Sequence, residues 1–149
     1  MTFAFYEAGP NTGATACLAV TNDRMVDGLT NSATIGMSAH FLTTPTDWVY
    51  TVWEPGTGMV VLLSGAYATP LAVDNGVTEY SMELWLKGTT AVFRTADGLL
   101  HKVTDSRIGI YAGPYAFAES YSPNSDDDIT IVSGFYAAPT GALGIPPAI

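Results

Sequence analysis

The sequence predicts an all-β domain: an antiparallel β-sandwich with little helix and an extended apolar C-terminal arm. Three observations lead there. Turn formers recur at close spacing, among them Gly9-Pro10, Gly28, Pro45, Pro55-Gly56, Asp74-Asn75-Gly76, Gly88, Asp97-Gly98, Gly113-Pro114, Pro123-Asn124 and Pro139. The runs between them are short and rich in Val, Ile, Thr, Tyr, Phe and Trp, which is the pattern of a sandwich or barrel. No window holds a 3.6-residue period over ten or more residues, so helix is expected to be minor.

Taken in order, strands are predicted at 3–8, closed by Gly9-Pro10, and at 14–21. A turn or two of helix fits residues 22–29, where Asn22 or Asp23 can cap the start and Gly28 stop the end. Strands follow at 34–43 before Pro45, at 47–54 before Pro55-Gly56, and at 59–67 around the apolar run MVVLL. The segment 78–87 reads as one clean strand, and Lys87-Gly88 bends it into a strand at 90–96. Asp97-Gly98 is a preferred pair where both loop residues need positive φ, and it joins that strand to 99–104 in an antiparallel meander. Strands at 107–111, 115–121 and 129–136 complete the set, giving one domain over 1–137. Residues 138–149, APTGALGIPPAI, have three prolines and two glycines and are predicted as an extended arm. The arm is apolar where a solvated tail is normally polar, so it is expected to lie on something.

At 149 residues the chain is long enough for a real core without staples. Cys17 is the only cysteine, so neither an intrachain disulfide nor a paired-cysteine metal site is available, and TACLAV marks it as a small buried hydrophobe. Fourteen acidic residues against five basic give a formal net charge of −9. Such a surface repels phosphate backbones and anionic lipid, which argues against nucleic-acid and membrane partners. Charged residues make up only 13% of the chain and hydrophobic ones 48%, a poor balance for a solitary solvated monomer. That surplus predicts burial against partners or against copies of the same chain. The opening TFAFYEAGPN has no basic n-region and breaks early at Gly-Pro, and MVVLL falls far short of the ~20 apolar residues of a spanning helix. Synthesis in a cytoplasm without a leader is the expectation.

Candidate chemistry is sparse. His40 and His101 are the two histidines; Asp105 and Ser106 lie near His101, but no nucleophile elbow accompanies them. Glu79 and Glu83 lie two same-face steps apart, which at ~3.4 Å per residue separates their Cα atoms by ~13 to 14 Å, wider than the carboxyl spacing of either glycosidase class. Glu54, Glu119 and the aspartates could complete a carboxylate pair only across strands. The loop SPNSDDDIT gathers Asn124, Asp126 and Asp128, hard oxygen ligands that suit calcium, although turn propensity explains the composition equally well. No glycine loop for phosphate is present, so no nucleotide cofactor is expected.

Aromatic placement is the remaining signal. In DWVYTVWE, Trp48, Tyr50 and Val52 take one face and Val49, Thr51 and Trp53 the other, so neither face is polar. Such a strand is buried on both sides or packs against another chain. In TEYSMELWLKG, Tyr80, Met82, Leu84 and Leu86 alternate with Glu79, Ser81, Glu83, Trp85 and Lys87, which sets Trp85 on the polar side. Three readings stay open: a sugar-stacking platform flanked by Glu83 and Lys87, a protein-contact anchor, or a ring covered by its own fold.

The start TFAFY, the short Thr/Ala-rich strands, the hairpin FRTADGLLHKVTD and the arm GALGIPPAI together resemble the small β-sandwich proteins of tailed-phage virions: decoration, cement and fibre-associated proteins. The meander ELWLKGTTAVFRTADGLLHKV also resembles part of a concanavalin or laminin-G type jelly roll. The first likeness implies a non-catalytic structural protein of the virion that self-associates and adheres to a larger protein lattice. On that reading Trp48, Trp53 and Trp85 are interface anchors, and Leu143, Ile145 and Ile149 are contacts of the arm. The alternative is a carbohydrate-binding module or receptor-binding head, with Trp85, Glu83, Tyr80 and Tyr111 near the sugar and calcium held by Asn124, Asp126 and Asp128.

Overall fold

The computed structural model describes residues 1–6, 15–21, 38–54, 57–111, 115–121 and 129–137. Over these the chain is all-β with one short helix. The strands are β1 (Thr2–Tyr6), β2 (Thr15–Thr21), β3 (Ser38–Thr43), β4 (Asp47–Glu54), β5 (Gly58–Ala66), β6 (Tyr80–Ser81), β7 (Glu83–Lys87), β8 (Thr90–Arg94), β9 (Leu100–Thr104), β10 (Tyr115–Tyr121) and β11 (Ile129–Gly134). The helix, α1, spans Ser106–Tyr111 between β9 and β10. Three antiparallel sheets form, in the orders β11-β1-β6, β10-β2-β3-β4-β5 and β7-β8-β9. The helical turn expected at 22–29 and the arm at 138–149 lie outside the described residues.

Two expectations are corrected. The strand predicted at 107–111 is the helix α1. As a strand it would carry Ile108 and Ile110 on one face, yet Ile108 is fully buried and Ile110 is 58% exposed. A helix turn separates them, and Asp105 starts that turn: its carboxylate accepts the Arg107 N–H at 2.9 Å and its carbonyl the Ile108 N–H at 3.1 Å. The second correction concerns 78–87, which is two strands in different sheets. Tyr80 and Ser81 pair with Phe3 and Thr2 on β1, whereas β7 pairs with β8 from Glu83 onward. Met82 is the crossing point, with its N–H donating to Met1 O at 2.9 Å and its side chain fully buried.

The meander is present as expected, but its second loop, between β8 and β9, differs from the simplest reading of Asp-Gly. Gly98 has φ +85° while Asp97 does not enter the positive region. Gly98 N–H donates to Thr95 O at 2.8 Å and Thr95 N–H to Leu99 O at 2.9 Å, so the loop is a tight turn followed by a left-handed glycine. The Lys87–Thr90 connection has Gly88 alone at positive φ, +57°, which suits a two-residue loop with glycine first. Asn75 and Gly76 both adopt positive φ, 57° and 79°, closing the turn from Asp74 to Val77.

The core lies where the five-stranded sheet meets the meander. Trp48 and Tyr50 of β4 project onto Phe93 of β8: the Tyr50 and Phe93 rings stack at 5.3 Å and 11°, and Trp48 meets Phe93 edge-on at 5.5 Å. His101 of β9 packs 4.2 Å from the Trp48 ring and 5.3 Å from Phe93. Phe3, Phe5 and Tyr80 extend this aromatic cluster from the β1 sheet. Strand β4 buries Trp48, Tyr50 and Val52 on one face; on the other, Thr51 is inaccessible while Val49 and Trp53 are only partly buried.

Candidate functional site

Two surfaces carry features that the core does not explain. The first is the outward face of the meander. The register Glu83↔Arg94, Trp85↔Val92 and Lys87↔Thr90, continued by Arg94↔Leu100, Val92↔Lys102 and Thr90↔Thr104, places these nine residues on one face. Leu84, Leu86, Ala91, Phe93 and Val103 turn the other way, into the core. Trp85 is therefore the large apolar member of a wet face, half-buried opposite Val92. On one side of it the Arg94 Nε donates to Glu83 Oε2 at 2.8 Å, and Arg94 Nη1 reaches Gly98 O at 3.2 Å. On the other side Thr90 and Thr104 share a hydrogen bond at 3.1 Å. Lys87 and Lys102 are exposed, and among the described residues neither has an ion-pair partner.

The second surface is the outer part of β4 and β5. Strand β5, GMVVLLSGA, has no charged residue and, among the described residues, stands at the end of its sheet. Its Met59 and Val61 pair with Trp53 and Thr51, and they are 53% and 50% exposed. Trp53 beside them is half-buried. An extra residue at Leu62, between the Tyr50↔Leu63 and Thr51↔Val61 pairs, bulges the strand.

The other sequence candidates fall as follows. Trp48 belongs to the interior at 6% exposure, against His101 and Phe93. Tyr80 packs on Phe3 and Phe5, and its hydroxyl accepts the Ala72 N–H at 2.6 Å, so the structure does not join it to Trp85 on the meander face. Glu79 and Glu83 have separate partners: Ser133 Oγ of β11 donates to Glu79, just before β6, at 2.9 Å, and Arg94 of β8 holds Glu83 of β7. Tyr111 ends α1, with its ring outside the described residues, as are the side chains of His40 and Glu119. Asn124, Asp126, Asp128, Leu143, Ile145 and Ile149 lie outside the described residues altogether. Among the described residues no three His, Cys, Asp or Glu side chains gather as metal ligands, and no helix is long and apolar enough to cross a membrane.

A polar cluster that sequence reasoning missed sits at the tip of the β8–β9 hairpin. Thr95 is fully buried; its hydroxyl lies 2.6 Å from Asp97 Oδ1 and 3.3 Å from His101 Nε2. The single hydroxyl proton goes to the carboxylate, which leaves Thr95 Oγ to accept from His101 Nε2–H and assigns that tautomer of the neutral ring. Burial holds the His101 pKa below its ordinary value, with Asp97 opposing. Nearby, the Tyr67 hydroxyl meets Thr43 Oγ1, and burial raises the pKa of that phenol. At the start of α1, Arg107 grips Asp105 through Nε at 2.8 Å and Nη2 at 2.7 Å, and this holds the carboxyl down at about 2. Arg107 Nη1 also lies 4.0 Å from Glu54 Oε1, linking the helix to the end of β4. Thr95 thus ties Asp97 to His101, while Arg107 clamps Asp105.

Comparison of the chain with protein-family models, with curated proteins and with solved structures finds no match.

Proposed function

We propose that this chain is a structural protein that works by self-association and adhesion. The observation that carries the reading is β5, an uncharged strand at a sheet end whose Met59 and Val61 stand about half exposed beside Trp53. Unpaired sheet ends without charge are the places where chains meet other chains. In a chain of net charge −9, an uncharged strip is also where two copies can approach without opposing carboxylates. The apolar segment 138–149 adds material for a second adhesive contact. The setting that fits is the virus particle suggested by the resemblance to decoration, cement and fibre-associated proteins, with a jelly-roll-like sandwich as the body and a protein lattice as the partner. Light scattering of the wild-type chain and of Val61→Asp over a concentration series tests the reading: assembly in the first and markedly weaker assembly in the second are expected.

A second reading is favoured by one specific feature, the half-buried Trp85 ring beside the Glu83–Arg94 ion pair on an outward sheet face. An aromatic face bordered by paired charges can stack a sugar ring and bind its hydroxyls. Glycan binding by a monomer, lost in Trp85→Ala without a change of mass, would favour this reading over assembly.

A further inference from the structure

We infer that the Trp85 face of the meander is one half of a head-to-tail contact whose other half is an acidic surface on a second copy of this chain. The inference rests on the self-association reading and assigns it a second contact, separate from β5.

The charge distribution carries the argument. Of the chain's five basic residues, Lys87, Arg94 and Lys102 stand together on this one face, with Glu83 as the sole acid among the nine face positions. Arg94 is neutralised by Glu83, so the two exposed lysines set the sign of the patch. The remaining thirteen acidic and two basic residues belong to the rest of the chain. One face is thus positive on a molecule that is otherwise strongly negative. A two-fold contact of this face with itself would set lysines against lysines, which is unfavourable. Contact with the acidic remainder of a neighbour opposes unlike charges and needs two different patches on each copy, the geometry that generates rings or open arrays. Trp85 and Val92 supply the apolar centre, and Lys87, Lys102 and the Thr90–Thr104 pair the polar rim, in the usual layout of an anchored interface.

The experiment uses the full chain, with Lys87→Glu/Lys102→Glu as the main variant, because both side chains are exposed and their exchange leaves the core intact. Mass is measured by light scattering at about 0.1 M and about 1 M salt, where screening lengths differ about threefold. The expected result is wild-type assembly that weakens with salt, a loss of about tenfold or more in association for the double variant, and lower mass when variant is mixed into wild type. The last effect follows because variant copies keep the acidic half and terminate growing assemblies. Trp85→Ala, checked for folding by circular dichroism, is expected to weaken assembly at both salt concentrations. Wild-type assembly that charge reversal and mixing leave unchanged would overturn this contact while leaving self-association standing. A wild-type monomer at every concentration overturns both; if that monomer binds a sulfated polysaccharide and the double variant does not, the face takes an anionic glycan and the second-copy assignment falls.

Discussion

The Trp48 indole lies directly over Gly65, its partner in the β4–β5 register: a Cβ on Gly65 would fall 2.6 Å from Trp48 Cζ2 and 2.8 Å from Cε2. Both are parts of rigid groups, so neither has room to move aside. Gly65→Ala is expected to destabilise the fold by about 1 to 3 kcal/mol through overpacking. The cost should shrink in a Trp48→Phe background, as a coupled pair requires. Equilibrium urea unfolding reads both, and equal costs in the two backgrounds would contradict the contact.

The stack of Tyr50 on Phe93 joins the five-stranded sheet to the meander, but the Tyr50 hydroxyl is buried with no hydrogen-bond partner among the described residues. Burial accordingly pushes its pKa far up. Phe93→Ala should cost about 3 to 5 kcal/mol, since it empties a fully buried ring site. Tyr50→Phe removes an unsatisfied group and keeps the ring, so stability should hold or rise by about 1 kcal/mol. A clear loss in Tyr50→Phe would mean that the hydroxyl has a partner.

Stability should fall in two separate acid windows. His101 has a folded pKa below its ordinary 6.5, so the unfolded chain binds the proton more readily and stability declines as pH drops below 6.5. Asp105 has a folded pKa of about 2 against 3.8, so its contribution is present above 3.8 and fades as pH falls toward 2. Denaturant midpoints taken against pH should lose the upper step in His101→Gln and the lower one in Asp105→Asn. An unchanged profile in either variant would contradict its assignment.

Much of this architecture is legible in the sequence, because glycine, proline and asparagine mark turns through backbone conformations that few other residues adopt. Gly88, Gly98 and the Asn75-Gly76 pair all stand at positive φ where the strands reverse. What escapes local reading is decided by partners far along the chain. Residues 78–87 alternate like one strand, and only pairing with Phe3 and Arg94 divides them at Met82. Residues 107–111 alternate as well, and only the Asp105 cap and the burial of Ile108 make them helical. The same holds for the surfaces. Trp85 stands out in its own strand as a misplaced aromatic, but the proximity of Lys102 requires the register of two successive hairpins. Met59 and Val61 stand exposed on β5, the end strand of its sheet among the described residues, a placement that no local pattern encodes.

On the proposed function, the uncharged end strand β5 holds copies of this chain together. The most direct test is the solution mass of the wild-type chain and of Val61→Asp, side by side, across a micromolar concentration series. Wild-type mass is expected to rise with concentration to a multiple of the 15.7 kDa chain, and a single carboxylate at position 61 to lower the mass at every concentration, leaving only assembly made through contacts other than β5. A wild-type chain that stays at monomer mass throughout, or a Val61→Asp chain that assembles equally well, would contradict it.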